Sequence, residues 1–141
     1  MNPFHHSIPI AAIAASLALS AVLAPAQAAS DAAVRQAGGI AYASGGISEE
    51  GRENLNAIAK DFNLKLILAT KSGAYLSDVG VVVSDDRGQR IIDAKSEGPW
   101  FYAKLPSGRY SIEASANGTV VRKAVTVGPQ PLSQVDFRWD D

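Results

Sequence analysis

The residues of this chain that could do chemistry are carboxylates and aromatic side chains, because the sequence has no cysteine and only two histidines. His5 and His6 both precede a predicted signal-peptide cleavage site, so the mature protein would contain neither imidazole nor thiol. Such a protein lacks the commonest general base near neutral pH, the usual transition-metal ligand and any Ser-His or Cys-His nucleophile pair. We therefore expect a protein that is not an enzyme and that uses no cofactor and no metal.

The acids most suggestive of a site are Asp85 and Asp86, which stand before Arg87 and Gly88, with Asp93 a few residues further on. Acids beside a glycine turn are typical turn formers. A carboxylate-only hydrolase and a calcium site built from carboxylate and carbonyl oxygens are the alternatives. The acids lack the alternating spacing of an EF-hand, and an arginine brings positive charge into the loop. We expect a structural turn, and the calcium alternative stays open.

The candidate binding residues are Trp100, Tyr102 and Lys104, which alternate with smaller or more apolar side chains. Successive side chains of a strand point to opposite faces, so these three face outwards if Phe101 and Leu105 lie in the core. Outward aromatic rings can pack against a partner protein or stack on sugar rings. In the other arrangement, an amphipathic helix covers them. Both arrangements are open at this point.

An amphipathic helix is predicted over residues 48–62. Ser48 is a typical N-cap, and Glu49 and Glu50 suit the positive end of a helix. The apolar positions fall on one helical face that must be buried somewhere; they are Leu55, Ile58, Ala59 and Phe62.

From residue 63 to residue 139 the apolar period becomes two, which is typical of strands. About seven strand-sized runs are separated by turn residues such as Asn117-Gly118. We predict a mainly β protein, a seven-stranded antiparallel Greek-key β-sandwich preceded by one short α-helix. A parallel α/β architecture is disfavoured because only one helix is available for crossovers. Lys123 interrupts the alternation, and we expect it near a strand end or bulge.

The N-terminal residues 1–28 contain no Asp, Glu, Lys or Arg, and small residues at Ala26 and Ala28 fit a signal peptidase. We predict a signal peptide cleaved after Ala28, with a retained hydrophobic anchor as the alternative. The protein would then be periplasmic or secreted, with no membrane span after cleavage. Residues 29–47 are mostly Ala, Gly and Ser, which predicts a flexible lead-in.

The charge balance is close to neutral, with 13 basic and 14 acidic residues and a formal net charge of -1. It offers no electrostatic reason to expect nucleic acid as a partner. A chain of 141 residues has room for one domain of ordinary size.

One segment of the chain resembles a known family. It is Leu105-Pro106-Ser107-Gly108-Arg109-Tyr110, which matches the recurring LPxGxY turn of carboxypeptidase regulatory-like domains. Pro106 fixes φ for a turn, Gly108 can take positive φ, and Tyr110 starts the next strand with its ring inward. The stretch from Leu76 to Val83 also looks like that family's approach to its second strand. The resemblance covers about residues 63–139.

The resemblance implies a transthyretin-like (prealbumin-like) β-sandwich with a non-catalytic role, and the chain also looks like a group of small proteobacterial exported proteins. Transthyretin-like hydroxyisourate hydrolases rely on histidines that the mature chain would lack. We expect a periplasmic binding or scaffolding module for a protein or cell-envelope component. The alternatives are a carbohydrate-binding module that uses outward aromatic rings and, third, a carboxylate-only hydrolase.

Overall fold

The computed structural model describes residues 33–141, and this part of the chain is mainly β with a single α-helix. Nine strands occur in it: β1 (Arg35–Ala37), β2 (Ile40–Gly45), β3 (Leu64–Thr70), β4 (Gly80–Ser84), β5 (Arg90–Lys95), β6 (Trp100–Ala103), β7 (Gly108–Ala116), β8 (Thr119–Val127) and β9 (Ser133–Trp139). The helix α1 (Glu49–Ile58) lies between β2 and β3 and continues into a short 3-10 turn, Ala59–Asp61.

The strands form two sheets that share one apolar core. The five-stranded sheet has the order β1-β2-β6-β3-β9, and the four-stranded sheet has the order β5-β4-β7-β8. Alternate side chains from both sheets point into the core, as the predicted alternation requires. The largest fully buried core side chains are Leu64, Leu66, Leu68, Val79, Val81, Val83, Ile92, Phe101, Ile112 and Phe137.

The predicted strand count of seven is wrong, and the two additional strands lie in the segment predicted as a flexible lead-in. That prediction is wrong for Arg35–Ala37 and Ile40–Gly45. Strand β2 pairs with β6, from Tyr42 opposite Ala103 to Gly45 opposite Trp100. Small side chains give no clear strand pattern, but their backbone groups pair as well as any others. The predicted signal peptide, residues 1–28, lies outside the described residues.

The prediction of wholly antiparallel sheets is also wrong at one pair of strands. Strands β3 and β9 run parallel, from Leu64 opposite Ser133 to Thr70 opposite Trp139. The loop after β8 carries the chain from the four-stranded sheet to the edge of the five-stranded sheet. Strand β9 therefore starts beside the first residue of β3 and runs in the same direction.

The helix begins as the sequence predicts. The Ser48 hydroxyl accepts a hydrogen bond from the Gly51 N–H at 3.0 Å, which caps the first turn. The apolar face of the helical segment packs on the outer surface of the five-stranded sheet, where Leu55 and Phe62 lie with Ala43 and Tyr102 in a second buried cluster. Within residues 33–141, no helix has the length and apolar character needed to cross a membrane.

Lys123 lies in the middle of β8, and the expected strand end or bulge is not found there. Its ammonium donates a hydrogen bond to the Asp136 carbonyl of β9, across the seam between the two sheets. The Trp139 indole N–H donates to the Thr119 carbonyl at 3.0 Å across the same seam. Lys123 lies opposite the core residue Ile112 but stays exposed at this edge strand, where its long stem reaches a partner in the neighbouring sheet.

Candidate binding face

The outer face of the five-stranded sheet is only partly covered by the helix. Two rows of side chains cross this face, because residues paired in neighbouring strands point the same way. One row runs Ala43, Tyr102, Lys65 and Gln134; the other runs Gly45, Trp100, Ile67 and Asp136. The helix lies over the β2 and β6 end of these rows, so the β3 and β9 end stays open.

Tyr102 is fully buried beneath the helix. It does point away from the sandwich core, as alternation predicts, but the Phe62 ring lies over it with the two centroids 5.8 Å apart. The covered arrangement is therefore the one found at this residue. Its hydroxyl has no hydrogen-bond partner in the described structure. Burial raises the pKa of Tyr102 to about 12, because ionisation would place a charge in an apolar site.

Trp100 is half-buried beside the helix, and one face of its ring contacts the ammonium group of Lys65. The Lys65 ammonium lies 3.7 Å from the centroid of the Trp100 ring and 5.5 Å from that of Tyr102. Such a contact is favourable because the negative face of the ring attracts the ammonium. Partial burial lowers the pKa of Lys65, and the nearby Asp136 carboxylate opposes that shift. A sugar could stack on this face of Trp100 only by displacing Lys65.

A second ring and cation continue the same surface. The guanidinium carbon of Arg52 lies 5.4 Å from the centroid of the Tyr75 ring. Arg52 also donates hydrogen bonds to the Gly46 carbonyl at 2.9 Å and the Ile47 carbonyl at 3.3 Å. These contacts hold the arginine in place, while Tyr75 remains 52% exposed and Ile47 66% exposed. Tyr75 belongs to this face because it pairs with the outward residue Ala69.

Arg138 completes the surface at the β9 edge. It pairs in register with Ala69, donates to the Thr70 carbonyl at 3.2 Å and lies 3.9 Å from the Asp136 carboxylate. Three cations and two aromatic rings thus form one surface, which we call the basic–aromatic face. Its residues are Arg52, Lys65, Arg138, Tyr75 and Trp100.

Sequence reasoning found only Trp100 of this group. The alternation of β3 also marks Lys65 as outward, but Arg52 and Tyr75 come from the helix and a loop. Only the tertiary structure brings those two residues together.

Lys104, the third candidate, is separated from the basic–aromatic face. Its backbone N–H donates to the Ala41 carbonyl at 2.9 Å, and its exposed side chain borders a shallow groove with Pro129 and Gln130. The three residues predicted as one site are thus a half-buried ring, a covered ring and a separate surface lysine. A binding role stays a prediction, and its structural basis is best at Trp100.

The LPxGxY turn has a clear structural basis. The Tyr110 hydroxyl donates to the Pro106 carbonyl at 2.6 Å and holds the turn between β6 and β7, while Leu105 is buried. Gly108 does not have positive φ; it begins β7 opposite Val127. The edge of the Tyr110 ring lies against it, 3.7 Å from where a Cβ would stand. Gly108 therefore provides room for the ring, and the expected left-handed conformation is absent.

The carboxylate of Asp85 is engaged in its own turn. One of its oxygens accepts hydrogen bonds from the Arg87 N–H at 3.0 Å and the Gln89 N–H at 2.9 Å. Gly88 takes positive φ, 79°, which closes the turn. Among residues 33–141, no three acidic or histidine side chains converge as a metal site would require. The arrangement is that of a turn former.

Neither a protein-family model nor a curated protein matches the sequence.

Proposed function

We propose that this chain is a non-catalytic binding or scaffolding module of the cell envelope, exported by its N-terminal segment, and that it holds a protein or another envelope component on the basic–aromatic face. The observation that carries the proposal is the open half of the outer sheet face, where Trp100 and Tyr75 each hold a cation in place. Trp, Tyr and Arg are the residues most enriched at the centres of protein interfaces.

The contacts that position the cations of this face also support a binding role. Its cations are held by rings, backbone carbonyls and a carboxylate, so a partner would order few additional side chains on binding. Ordering a long side chain costs about 0.5–1.5 kcal/mol, and a face that is ordered beforehand avoids much of this loss.

We propose the carboxypeptidase regulatory-like, transthyretin-like assignment for the sandwich on narrower grounds. It rests on the segment from Leu105 to Tyr110, with the hydrogen bond from the Tyr110 hydroxyl to the Pro106 carbonyl. The parallel pairing of β3 with β9 differs from the wholly antiparallel sandwich expected from the sequence.

The carbohydrate-binding alternative has less support. It needs outward ring faces, but Tyr102 is buried and one face of Trp100 carries Lys65. The hydrolase alternative has no support from Asp85, whose carboxylate oxygen accepts two backbone hydrogen bonds in its own turn.

The experiment that tests the binding role is chemical cross-linking of the tagged full-length chain in an envelope extract. Ile67→Glu introduces a charge at the centre of the open half, where Ile67 pairs with Trp100. Val120→Glu makes the same change on the outer face of the four-stranded sheet, where Val120 is 51% exposed. We expect a partner that is cross-linked to the wild type and to Val120→Glu, and lost with Ile67→Glu. Equal cross-linking by all three proteins, with melting temperatures unchanged, would reject the face.

A further inference from the structure

Two cations of the basic–aromatic face have no carboxylate partner within the described residues. Arg138 lies 3.9 Å from the Asp136 carboxylate, but neither Arg52 nor Lys65 forms a salt bridge in residues 33–141. Backbone carbonyls and the Tyr75 ring hold Arg52, while aromatic rings hold Lys65. Both positive charges are thus positioned without a salt bridge in residues 33–141, since neither a ring nor a carbonyl carries a formal charge.

The environment of Lys65 makes an incoming carboxylate favourable. Its side chain is partly buried between β6 and β9, so its ammonium has lost part of its hydration. The nearby Asp136 carboxylate opposes the lowering of the Lys65 pKa, but the two side chains form no salt bridge among the described residues. A carboxylate placed on the exposed side would restore a strong hydrogen-bond acceptor to the ammonium.

Apolar side chains flank the two cations. Ile47 is 66% exposed next to Arg52, which donates to its carbonyl, and Ile67 is half-buried between Trp100 and Asp136. An occupant of this surface must therefore carry both acidic groups and apolar groups. A polypeptide has both kinds of side chain, whereas an acidic glycan would need a free ring face on which to stack.

We propose that the basic–aromatic face binds an acidic polypeptide segment, whose carboxylates pair with Arg52 and Lys65 while its apolar side chains cover Ile47 and Ile67. This inference rests on the proposed function and names the chemistry of the partner. Charge complementarity of this kind raises the association rate and makes binding sensitive to salt.

The test uses the full-length chain and a random copolymer of glutamate and tyrosine as the probe, with binding followed by calorimetry at low ionic strength. The face variant is Arg52→Gln/Lys65→Gln. The matched control is Lys95→Gln/Arg109→Gln, which removes the same charge from two exposed residues of the four-stranded sheet. We expect the face variant to bind the copolymer about tenfold more weakly, and the control to stay within about twofold of the wild type.

Three results of the calorimetry would overturn the inference: no binding of the copolymer by the wild type, equal weakening in both variants, or tighter binding of polygalacturonate, an acidic glycan, than of the copolymer. If Arg52→Gln/Lys65→Gln melts well below the wild type, copolymer binding is measured with Ile67→Glu instead. This variant keeps both cations and adds a carboxylate that repels the acidic copolymer, so we expect it to bind the copolymer more weakly than the wild type. In an envelope extract, a partner that is cross-linked to Arg52→Gln/Lys65→Gln but not to Ile67→Glu would support the proposed function and contradict the inference that the partner segment is acidic.

Discussion

Asn63 and Leu105 are joined by two hydrogen bonds, although they are 42 positions apart in the sequence. The Asn63 side-chain N–H donates to the Leu105 carbonyl at 2.7 Å, and the Leu105 N–H donates to the Asn63 side-chain oxygen at 2.8 Å. The same amide nitrogen donates to the Gly128 carbonyl at 3.1 Å. One buried side chain therefore connects the start of β3, the turn after β6 and the loop after β8.

We predict that Asn63→Ala lowers the free energy of unfolding by about 3 kcal/mol, because it removes three hydrogen bonds and leaves buried backbone groups without partners. Urea denaturation followed by circular dichroism measures the change. Asn56→Ala is the control, since Asn56 is exposed on α1 and should lose no stability. A loss below about 1 kcal/mol for Asn63→Ala would show that the amide does not connect these loops.

Tyr102→Phe is predicted to stabilise the protein at neutral pH by about 1 kcal/mol. The hydroxyl is buried without a partner in the described structure, so its removal relieves an uncompensated desolvation. Thermal and urea unfolding measure the gain, with Tyr75→Phe as a control at an exposed ring. Destabilisation by Tyr102→Phe would indicate that the hydroxyl has a hydrogen-bond partner, such as a buried water.

Alkaline pH should destabilise the wild type more than Tyr102→Phe. Folding raises the pKa of Tyr102 from 10.0 to about 12, so the folded state keeps a proton that the unfolded state loses. The protonated Tyr102 therefore contributes its full share to the free energy of unfolding below pH 10, and this contribution is lost as the pH rises towards 12. Between neutral pH and pH 11 we expect the free energy of unfolding to fall by about 1.4 kcal/mol more in the wild type than in Tyr102→Phe. Burial also raises the pKa of Tyr110, but this affects both proteins equally.

Gly98→Ala is predicted to lower the free energy of unfolding by about 3 kcal/mol. A Cβ at Gly98 would stand 2.3 Å from the Gly45 carbonyl oxygen, so the loop before β6 would have to move away from the end of β2. Gly128→Ala is the matched control, because the nearest atom to its Cβ would be 3.9 Å away. Equal melting temperatures for the two variants would contradict the close approach of Gly98 to β2.

The predictions from sequence succeeded where burial follows from a local repeat. Val81 and Val83 are both fully buried, and Tyr110 and Ile112 begin an alternation that β7 keeps to its end. The Asn117-Gly118 turn also forms as predicted, with both residues at positive φ. Each of these features depends on neighbouring residues alone, so the sequence contains the information needed to predict it.

Prediction from the sequence failed where the structure of a segment depends on contacts with residues distant in the chain. Ala43 lies in a run of small residues without a strand pattern, yet β2 forms because β6 offers backbone groups for pairing. Lys123 disrupts an alternation but finds the Asp136 carbonyl across the seam. Neither partner lies near its residue in the chain, and periodicity carries no information about distant contacts.

The sequence by itself determined which side chains point outward, because a strand alternates its faces whatever lies beside it. It thereby placed Trp100 and Tyr102 on the side of their strand opposite to Phe101. Only the tertiary structure decided what each outward side chain meets: the helix covers Tyr102, Lys65 lies over Trp100, and Arg52 arrives from the helix beside Tyr75. The physical reason is that burial depends on packing between segments distant in the chain, whereas alternation depends only on the geometry of a single strand.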